Sequence, residues 1–265
     1  MKAEPDESNA RISVVVPVFN EEATLAHVIE KVMQVPQLLE IIIVDDGSTD
    51  RTREIAETLA AANSLVRVER LPSNRGKTAA LIAGFAQTLG DVVIVQDADL
   101  EYDPSEIPIV VQPILDGFAD VVYGSRFLVR KATRVLYFYH FAGNKFLTVL
   151  SNMLTNLNMT DIETGYKAFR GDIIRNMRIG SRGFGFEVEV TAKIAKLGCA
   201  IYEVPISYYG RTYEEGKKIG FSDGLKALWL IVRFNLFCGL RSSFRTVPEL
   251  PSRSGRRQCS NFVLI

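Results

Sequence analysis

The sequence has 265 residues, enough for one large domain or two small ones with a buried core. Hydrophobic residues make up 47% of it and charged residues 23%, as in globular proteins, so wholesale disorder is excluded. The 31 lysines and arginines balance the 31 aspartates and glutamates. A net charge of zero indicates no general attraction to nucleic acid, so any anion must be bound locally.

Cysteine spacing and the length of apolar runs indicate the compartment. Cys199, Cys238 and Cys259 are odd in number and form no CxxC pair, which argues against a disulfide framework or a zinc site and favours a reducing cytosol. Residues 1–10 are polar and acidic, so we expect no signal peptide there. No uncharged apolar run reaches the roughly 20 residues that span a bilayer, so we expect the protein not to cross a membrane by itself.

The first 125 residues alternate apolar runs, which are typical of strands, with helical patterns. Strands are predicted at residues 12–18, 40–46, 65–71, 91–97 and 120–126. Several are continuous valine and isoleucine runs, a pattern that favours parallel strands covered by helices on both faces. The order predicts an α/β fold with a doubly wound, mostly parallel sheet, whose ligands bind beyond the C-terminal ends of the strands.

Helix start signals follow three of these strands. Asn20 precedes two acidic residues, and Asp50 precedes a stripe of Ile55 and Leu59. Residues 103–106 are Asp-Pro-Ser-Glu, which predicts a capping box with proline at the first helical position.

The second half contains longer helical patterns. A helix is predicted at residues 136–157, followed by a strand at 164–170, a helix at 187–196 and a strand at 200–207. The first of these helices has polar residues on one side (His140, Asn144, Thr148, Ser151 and Thr155) and apolar residues on the other (Phe138, Phe146, Val149, Leu150 and Met153). A last helix is predicted from Ser222, apolar except for a narrow stripe of Lys226 and Arg233.

Acidic residues follow two of the predicted strands. Asp45 and Asp46 end the second, and Asp97, Asp99 and Glu101 end the fourth. In an extended segment, residues two apart point the same way, so the last three would share one face. Three carboxylates on one face predict a site for Mg²⁺ or Mn²⁺, with a solvated loop as the alternative.

Two common phosphate-binding motifs are absent from the sequence. Gly76-Lys77-Thr78 has the end of a P-loop, but Leu71 stands where that motif requires its first glycine. No GxGxxG motif follows a strand, so a dinucleotide fingerprint is excluded as well.

Seven segments occur in the order and spacing of a known enzyme family. Residues 16–22 (Val-Pro-Val-Phe-Asn-Glu-Glu), 44–48 (Val-Asp-Asp-Gly-Ser), 74–77 (Asn-Arg-Gly-Lys) and 97–99 (Asp-Ala-Asp) resemble the inverting GT-A glycosyltransferases of family 2. Residues 123–126, 161–166 and 211–218 are similar to the branch of dolichol- or polyprenyl-phosphate mannose and glucose synthases. The resemblance covers about residues 11–235.

The resemblance implies a donor site for a GDP- or UDP-hexose. The base and ribose would be held by Pro17, Phe19, Glu21 and Asp46, since a carboxylate can accept the N–H groups of uracil or guanine. The resemblance also implies substrate-binding roles for Lys77, Ala98 and Thr164.

The same resemblance assigns the charged residues. The metal ligands would be Asp97, Asp99 and Glu101, although Glu101 stands where parts of the family have glutamine or another polar residue. The donor and acceptor phosphates would be clamped by Arg126, Arg211, Lys217 and Lys218. We expect residues 211–218 to form a mobile loop that closes over anions, with an ordinary solvated loop as the alternative. Glu187 and Glu189 either orient lysines or the sugar, or are surface acids of a helix.

The implied reaction moves mannose or glucose to a polyprenyl phosphate by a single in-line displacement that inverts the anomeric centre. An acceptor phosphate is already anionic near neutral pH and needs little help from a general base. Two alternatives stay open. One is transfer to a hydroxyl of a glycolipid or polysaccharide precursor, with Asp161, Glu163 or Glu187 as the base. The other is a non-catalytic protein that binds nucleotide sugars.

These expectations divide the chain into four regions: a tail (1–10), a GT-A catalytic domain (11–219), an amphipathic interfacial helix region (220–246) and a flexible tail (247–265). A polyprenyl phosphate keeps its chain in the bilayer, so the enzyme has to reach the headgroups. We therefore expect peripheral association with the cytoplasmic side of a membrane, through the last helix and the aromatic residues at 137–141.

Overall fold

The computed structural model describes residues 10–128, 137–183, 185–210 and 221–251. The strands are β1 (Ile12–Val18), β2 (Leu38–Asp45), β3 (Val66–Arg70), β4 (Val92–Val95), β5 (Val121–Ser125), β6 (Lys167–Arg170) and β7 (Ile201–Pro205). The helices are α1 (Leu25–Val32), α2 (Thr52–Ala62), α3 (Lys77–Gln87), α4 (Ile107–Leu115), α5 (Phe138–Thr155), α6 (Gly171–Asn176), α7 (Phe186–Leu197), α8 (Phe221–Leu236) and α9 (Leu240–Ser243).

The strands form one sheet in the order β3-β2-β1-β4-β6-β5-β7. β6 runs antiparallel to both of its neighbours, β4 and β5, and the other strand pairs in this sheet are parallel. The predicted α/β fold, a mostly parallel sheet flanked by helices, is therefore confirmed.

Successive residues of β1 enter two cores, one on each face of the sheet. Val14 and Val16 pack in the core that contains residues of α1 and α4, whereas Val15 packs in the core that contains residues of α3 and α7. All three valines are fully buried. The continuous valine run thus reflects a strand covered on both faces.

The three predicted helix start signals have different outcomes. Asp50 accepts a hydrogen bond from the backbone N–H of Thr52 (3.0 Å), the first residue of α2, although the N-cap position itself is Arg51. α1 begins only at Leu25, because Asn20 has a left-handed φ of 55° and starts a turn. Asp103 caps a single 3-10 turn that precedes α4, but Glu106 does not complete a capping box: its carboxylate accepts from Ser207 instead.

α5 buries the middle of its polar side and exposes most of its predicted apolar side, although Leu150 packs against the core. Thr148 and Ser151 are 2% and 1% exposed. The apolar side is in contact with solvent at Phe138 (72% exposed), Phe146 (62%), Val149 (54%) and Met153 (71%). Helices of globular proteins normally bury the apolar stripe, so this arrangement calls for another surface to cover α5.

α8 packs against α5 and α7 and is buried on one side only. Ile231 and Phe234 belong to the buried side, whereas Trp229, Leu236 and Phe237 are exposed. We call the exposed apolar residues of α5 and the α8 region the apolar outer surface: Phe138, Phe146, Val149, Met153, Trp229, Leu236 and Phe237. Within the residues described, no helix has the length and apolar character needed to cross a membrane.

Candidate active site

The segments that follow β1 and β2 are tied together at the C-terminal edge of the sheet. Of the predicted base-binding residues, Pro17 is buried in β1, while Phe19 and Glu21 are half-buried after it. The backbone N–H of Glu21 donates to Thr52 Oγ1 (2.8 Å), and its carboxylate accepts from Thr24 Oγ1 (2.9 Å). The bond to Thr52 joins the segment after β1 to the start of α2, and the bond from Thr24 holds the Glu21 carboxylate within its own segment.

Asp46 fixes the loop that leads into α3. Its two carboxylate oxygens accept the backbone N–H groups of Arg75 (2.8 Å) and Gly76 (2.7 Å). Gly47 passes close to the same loop: a Cβ atom built there would lie 2.8 Å from the backbone nitrogen of Asn74, and its φ of 75° also favours glycine. The structure gives Asp46 a role in positioning this loop, and its contact with the base and ribose stays a prediction.

Lys77 begins α3 and links the acidic motif to α7. Its ammonium group lies 2.7 Å from Asp97 Oδ1 and 3.8 Å from Glu187 Oε1. Burial lowers the pKa of Lys77, but the charges of Asp97 and Glu187 outweigh that effect and raise the pKa above its ordinary value. Lys77 therefore carries a permanent positive charge next to Asp97, one of the predicted metal ligands.

The three predicted metal ligands do not share one face. β4 ends at Val95, and the chain then turns, with Leu100 at a left-handed φ of 61°. The alternation argument is wrong for Asp97, Asp99 and Glu101, because it assumes an extended strand through all three. Within the described ranges, no group of three Asp, Glu, His or Cys side chains is arranged to hold a metal ion.

Glu101 is directed towards the segment after β7. Its carboxylate accepts from the hydroxyl of Tyr208 (2.9 Å), and its backbone carbonyl accepts from the N–H of Tyr209 (2.9 Å). Burial raises the pKa of the Tyr208 hydroxyl well above its ordinary value, so that group stays a donor. The two remaining members of the motif lie on either side of buried Ala98, with Asp99 Oδ1 accepting the backbone N–H of Glu101 (3.1 Å).

Arg126 is held by a bidentate ion pair at the end of β5. Its Nε and Nη2 lie 2.7 Å and 2.8 Å from the carboxylate oxygens of Asp161, which is fully buried. Burial opposes the charge of Asp161, but the guanidinium of Arg126 outweighs it and lowers the pKa of this carboxyl. The Nη1 group of Arg126 donates to no acceptor in the described part of the chain. The guanidinium is therefore oriented through Nε and Nη2, and Nη1 remains available as a donor.

Glu203 supports this ion pair from β7. Its carboxylate accepts the backbone N–H groups of Thr160 (2.9 Å) and Asp161 (3.2 Å), which fixes the turn that carries Asp161. The sequence analysis did not single out Glu203. The signal that could have found it is a lone carboxylate within a strand between apolar neighbours.

A second group of buried charges lies beside Lys77. Burial and the neighbouring charge of Glu187 raise the pKa of Glu163 to about 7, and burial lowers the pKa of Lys167 to about 8. The ammonium of Lys167 donates to the carbonyls of Ile162 and Thr164. Thr164 is buried in this turn and its hydroxyl accepts the N–H of Tyr166, so its predicted contact with substrate stays a prediction.

Gly165 forms one wall of the Lys77–Asp97 pair. A Cβ atom built on Gly165 would lie 2.7 Å from Asp97 Oδ2 and 2.9 Å from the ammonium of Lys77. The ion pair thus lies directly against the backbone, and a side chain at this position would shift it. The remaining predicted phosphate ligands, Arg211, Lys217 and Lys218, lie outside the described residues.

Comparison with known proteins bears on this site. The sequence profile of the family described as Glycosyl transferase family 2 matches residues 13–178. An undecaprenyl-phosphate mannosyltransferase of Micrococcus luteus is 32% identical over 222 residues, which cover 79% of this chain and 88% of the relative. A polyprenol monophosphomannose synthase of Mycolicibacterium smegmatis is 29% identical and covers 79% of this chain and 82% of the relative. A dolichol-phosphate mannosyltransferase of Pyrococcus furiosus is 30% identical over 79% of this chain and 60% of the relative.

Solved structures support the same fold. A crystal structure of glucosyl-3-phosphoglycerate synthase from Mycobacterium tuberculosis in complex with UDP is similar with a TM-score of 0.67. It is 24% identical and covers 86% of this chain and 81% of that chain. The profile match includes the acidic motif, Lys77 and the Arg126–Asp161 pair. The chain therefore belongs to glycosyl transferase family 2 and is a nucleotide-sugar-dependent glycosyltransferase.

Proposed function

We propose that this glycosyltransferase moves a hexose, mannose or glucose, from a GDP- or UDP-sugar to a polyprenyl phosphate at a membrane surface. The observation that carries this proposal is that the relatives from Micrococcus, Mycolicibacterium and Pyrococcus are all named for a polyprenol- or dolichol-type phosphate. The first two align over more than four fifths of their own length.

A divalent cation, Mg²⁺ or Mn²⁺, fits Asp97 and Asp99. Mg²⁺ sites in phosphoryl chemistry use one or two carboxylates, with water and substrate phosphates completing the shell, so two aspartates suffice. Both side chains are half-buried at the C-terminal edge of the sheet and offer hard oxygen donors. When bound, the cation would stabilise the negative charge that develops on the departing nucleoside diphosphate.

The protein's own residues position the acceptor. The bidentate bond to Asp161 fixes the guanidinium of Arg126, which supports a role for its Nη1 group in binding a phosphate oxygen. Arg211, Lys217 and Lys218 supply further positive charge in the proposal. Because the acceptor phosphate is already a nucleophile near neutral pH, a single in-line displacement inverts the anomeric carbon without a general base.

The apolar outer surface supports the proposed action at a membrane. A polyprenyl phosphate brings its headgroup to the bilayer surface, and an exposed face with Trp229 and several phenylalanines suits the interfacial region. We propose peripheral attachment at the cytoplasmic side, with residues 11–219 as the catalytic domain and residues 220–246 as the interfacial region. The segments 1–10 and 247–265 are tails in this division.

The test compares acceptors that differ only in the phosphate. The enzyme is incubated with Mn²⁺ or Mg²⁺, radiolabelled GDP-mannose or UDP-glucose, and vesicles that contain undecaprenyl phosphate or undecaprenol. We expect a lipid-soluble product and release of nucleoside diphosphate only with the phosphate. Transfer to undecaprenol would favour a hydroxyl acceptor and a base such as Glu163. Donor binding without any release would indicate a non-catalytic protein.

A further inference from the structure

The carboxylate of Glu187 is buried without a matching hydrogen bond. Its side chain is 6% exposed, and Oε2 has no hydrogen-bond partner within the residues described. Its nearest cation, the ammonium of Lys77, is 3.8 Å from Oε1, beyond hydrogen-bond distance. Burial of a carboxylate with an oxygen that accepts no hydrogen bond costs free energy, so this arrangement needs an explanation.

Lys77 is shared unequally between two acids. Its ammonium contacts both oxygens of Asp97, at 2.7 Å and 2.8 Å, and lies a further ångström from Glu187. The long, flexible lysine side chain needs only a small movement to exchange the two partners. Gly165 closes the other side, because its backbone already lies against the ion pair.

A metal ion and Lys77 compete for the carboxylate of Asp97. The lysine contacts both carboxylate oxygens, so a cation that binds Asp97 directly repels the ammonium and favours its movement away from Asp97. The displaced charge cannot be left unpaired in a buried setting without a large desolvation cost. The nearest buried acceptor for it is the unmatched carboxylate of Glu187.

We propose that Glu187 receives Lys77 when a divalent cation binds Asp97, so that Lys77 neutralises Asp97 when no cation is bound there. The inference rests on the proposed function, which places the cation at Asp97 and Asp99. Glu187 acts here as a positioning residue. It lowers the cost of metal binding by pairing the displaced ammonium.

The first experiment measures Mn²⁺ binding by electron paramagnetic resonance with saturating UDP, and with GDP in parallel. Wild type is compared with Glu187→Gln, Lys77→Met and the double variant. We expect Glu187→Gln to weaken Mn²⁺ binding by about tenfold and Lys77→Met to strengthen it, because the competing charge is gone. In the Lys77→Met background, Glu187→Gln should change Mn²⁺ affinity by less than about twofold.

If Glu187 acted on the metal only through its negative charge, the variants would give a different pattern of Mn²⁺ affinities. If Glu187→Gln weakens Mn²⁺ binding by the same factor with and without Lys77, or has no effect, the proposal is overturned. Glu163→Gln is the matched control, since it removes a neighbouring carboxylate that forms no ion pair with Lys77 at the distances seen here. A loss that is equal in Glu163→Gln and Glu187→Gln would also contradict a specific receiving role.

Two further variants separate this inference from the proposed metal site. If Asp97→Asn and Asp99→Ala keep wild-type Mn²⁺ affinity, or if wild type does not bind Mn²⁺, the metal assignment itself fails. If those variants lose Mn²⁺ and Glu187→Gln does not weaken it, only the role of Glu187 fails. In a crystal structure with Mn²⁺ and UDP, we expect the ammonium of Lys77 within hydrogen-bond distance of Glu187, and an unchanged pair with Asp97 would overturn the proposal.

Discussion

Asp99 lies in a turn outside the hydrophobic cores, and its Oδ1 accepts a local hydrogen bond from the backbone N–H of Glu101. We therefore expect Asp99→Ala to change the free energy of unfolding by no more than about 0.5 kcal/mol, as for most substitutions outside the core. Removing a ligand of the proposed cation should lower kcat by about 100-fold or more, since charge on the leaving diphosphate is no longer stabilised.

Release of nucleoside diphosphate and thermal unfolding measure the two effects of Asp99→Ala separately. Near-normal transfer with saturating Mn²⁺ would show that Asp99 is not a metal ligand. A large loss of stability would instead assign it a structural role.

A second prediction concerns the close contact between Gly165 and the Lys77–Asp97 ion pair. In Gly165→Ala, the new methyl group would lie 2.7 Å from Asp97 Oδ2 and 2.9 Å from Lys77 Nζ, so the ion pair has to move. We expect kcat to fall by about tenfold or more, because small misplacements at a reacting centre are costly.

Gly143→Ala is the control for this prediction. Gly143 lies within α5 with no atom within 4 Å of an added Cβ, so alanine there should stabilise the protein by about 0.5–1 kcal/mol. Equal activity losses in the two variants, measured with the same donor and acceptor, would contradict the role of Gly165.

At the candidate site, the sequence identifies the motif residues but not the contacts between them. The conjunction of Lys77 and Asp97 was not predicted, because the two residues are 20 positions apart and meet only through tertiary packing. Glu101 was placed with the two aspartates because period-two alternation was extended past the end of β4. The left-handed conformation of Leu100 has no signal in the sequence, since this conformation is expected of glycine or asparagine rather than leucine.

At the scale of elements, α5 is fixed by its polar residues. Asn152 donates to the carbonyl of Met159 (2.8 Å), and Lys145 donates to that of Thr160 (3.0 Å). These bonds hold the turn that carries Asp161, which in turn orients Arg126. The polar side of the helix thus supports the candidate active site, which leaves the apolar side facing outward.

The apolar outer surface should bind lipid. Burial of a phenylalanine or tryptophan side chain is worth about 1.5–3 kcal/mol, so Phe146→Ser or Trp229→Ser should each weaken vesicle binding by about tenfold. Co-sedimentation with anionic vesicles that contain polyprenyl phosphate measures this binding.

Phe118→Ser is the matched control for the lipid prediction. Phe118 is 61% exposed and lies just before β5, at the edge of the sheet opposite the candidate active site. Its loss should leave vesicle binding unchanged. Equal weakening in all three variants would mean that exposed aromatic residues act without regard to their place in the fold.

The sequence predicts the positions of strands and helices more reliably than it predicts which of their faces are buried. Each predicted strand overlaps an observed one, because continuous Val and Ile runs have few other stable placements in a chain of this length. The sequence did show two faces on the helix at 136–157, but periodicity alone does not tell which face is buried. That choice depends on the turn at residues 159–162, whose backbone N–H and C=O groups need the partners that α5 supplies.

At the scale of the whole molecule, the buried charges near Glu163 make stability depend on pH. The pKa of Glu163 is raised from 4.5 to about 7 in the folded protein. Between these values the native state keeps a proton that the unfolded chain has lost, so the free energy of unfolding falls as pH rises from 4.5 to 7. The contribution of this half-buried group over that range should be about 1–2 kcal/mol.

Glu163→Gln removes this titration. Urea unfolding of the variant should therefore show a shallower decline of stability over that pH range than wild type shows. Glu57→Gln, an exposed acid that pairs with Arg53 on α2, serves as the control and should keep the wild-type slope. If the free energy of unfolding changed with pH by the same slope in wild type and in Glu163→Gln, the raised pKa would not belong to Glu163.

The position of β6 between β4 and β5 has a consequence for synthesis of the chain. β5 is complete at Ser125, but one of its two partners in the sheet begins only at Lys167 and the other at Ile201. At about 5–20 residues per second, the ribosome needs several seconds to supply the first of them, so β5 emerges with both of its edges unpaired. Unpaired apolar strands are templates for aggregation, so chaperones should engage nascent chains that end between these two strands. Limited proteolysis of nascent chains that end before and after β6 should show β5 becoming protected only in the longer ones.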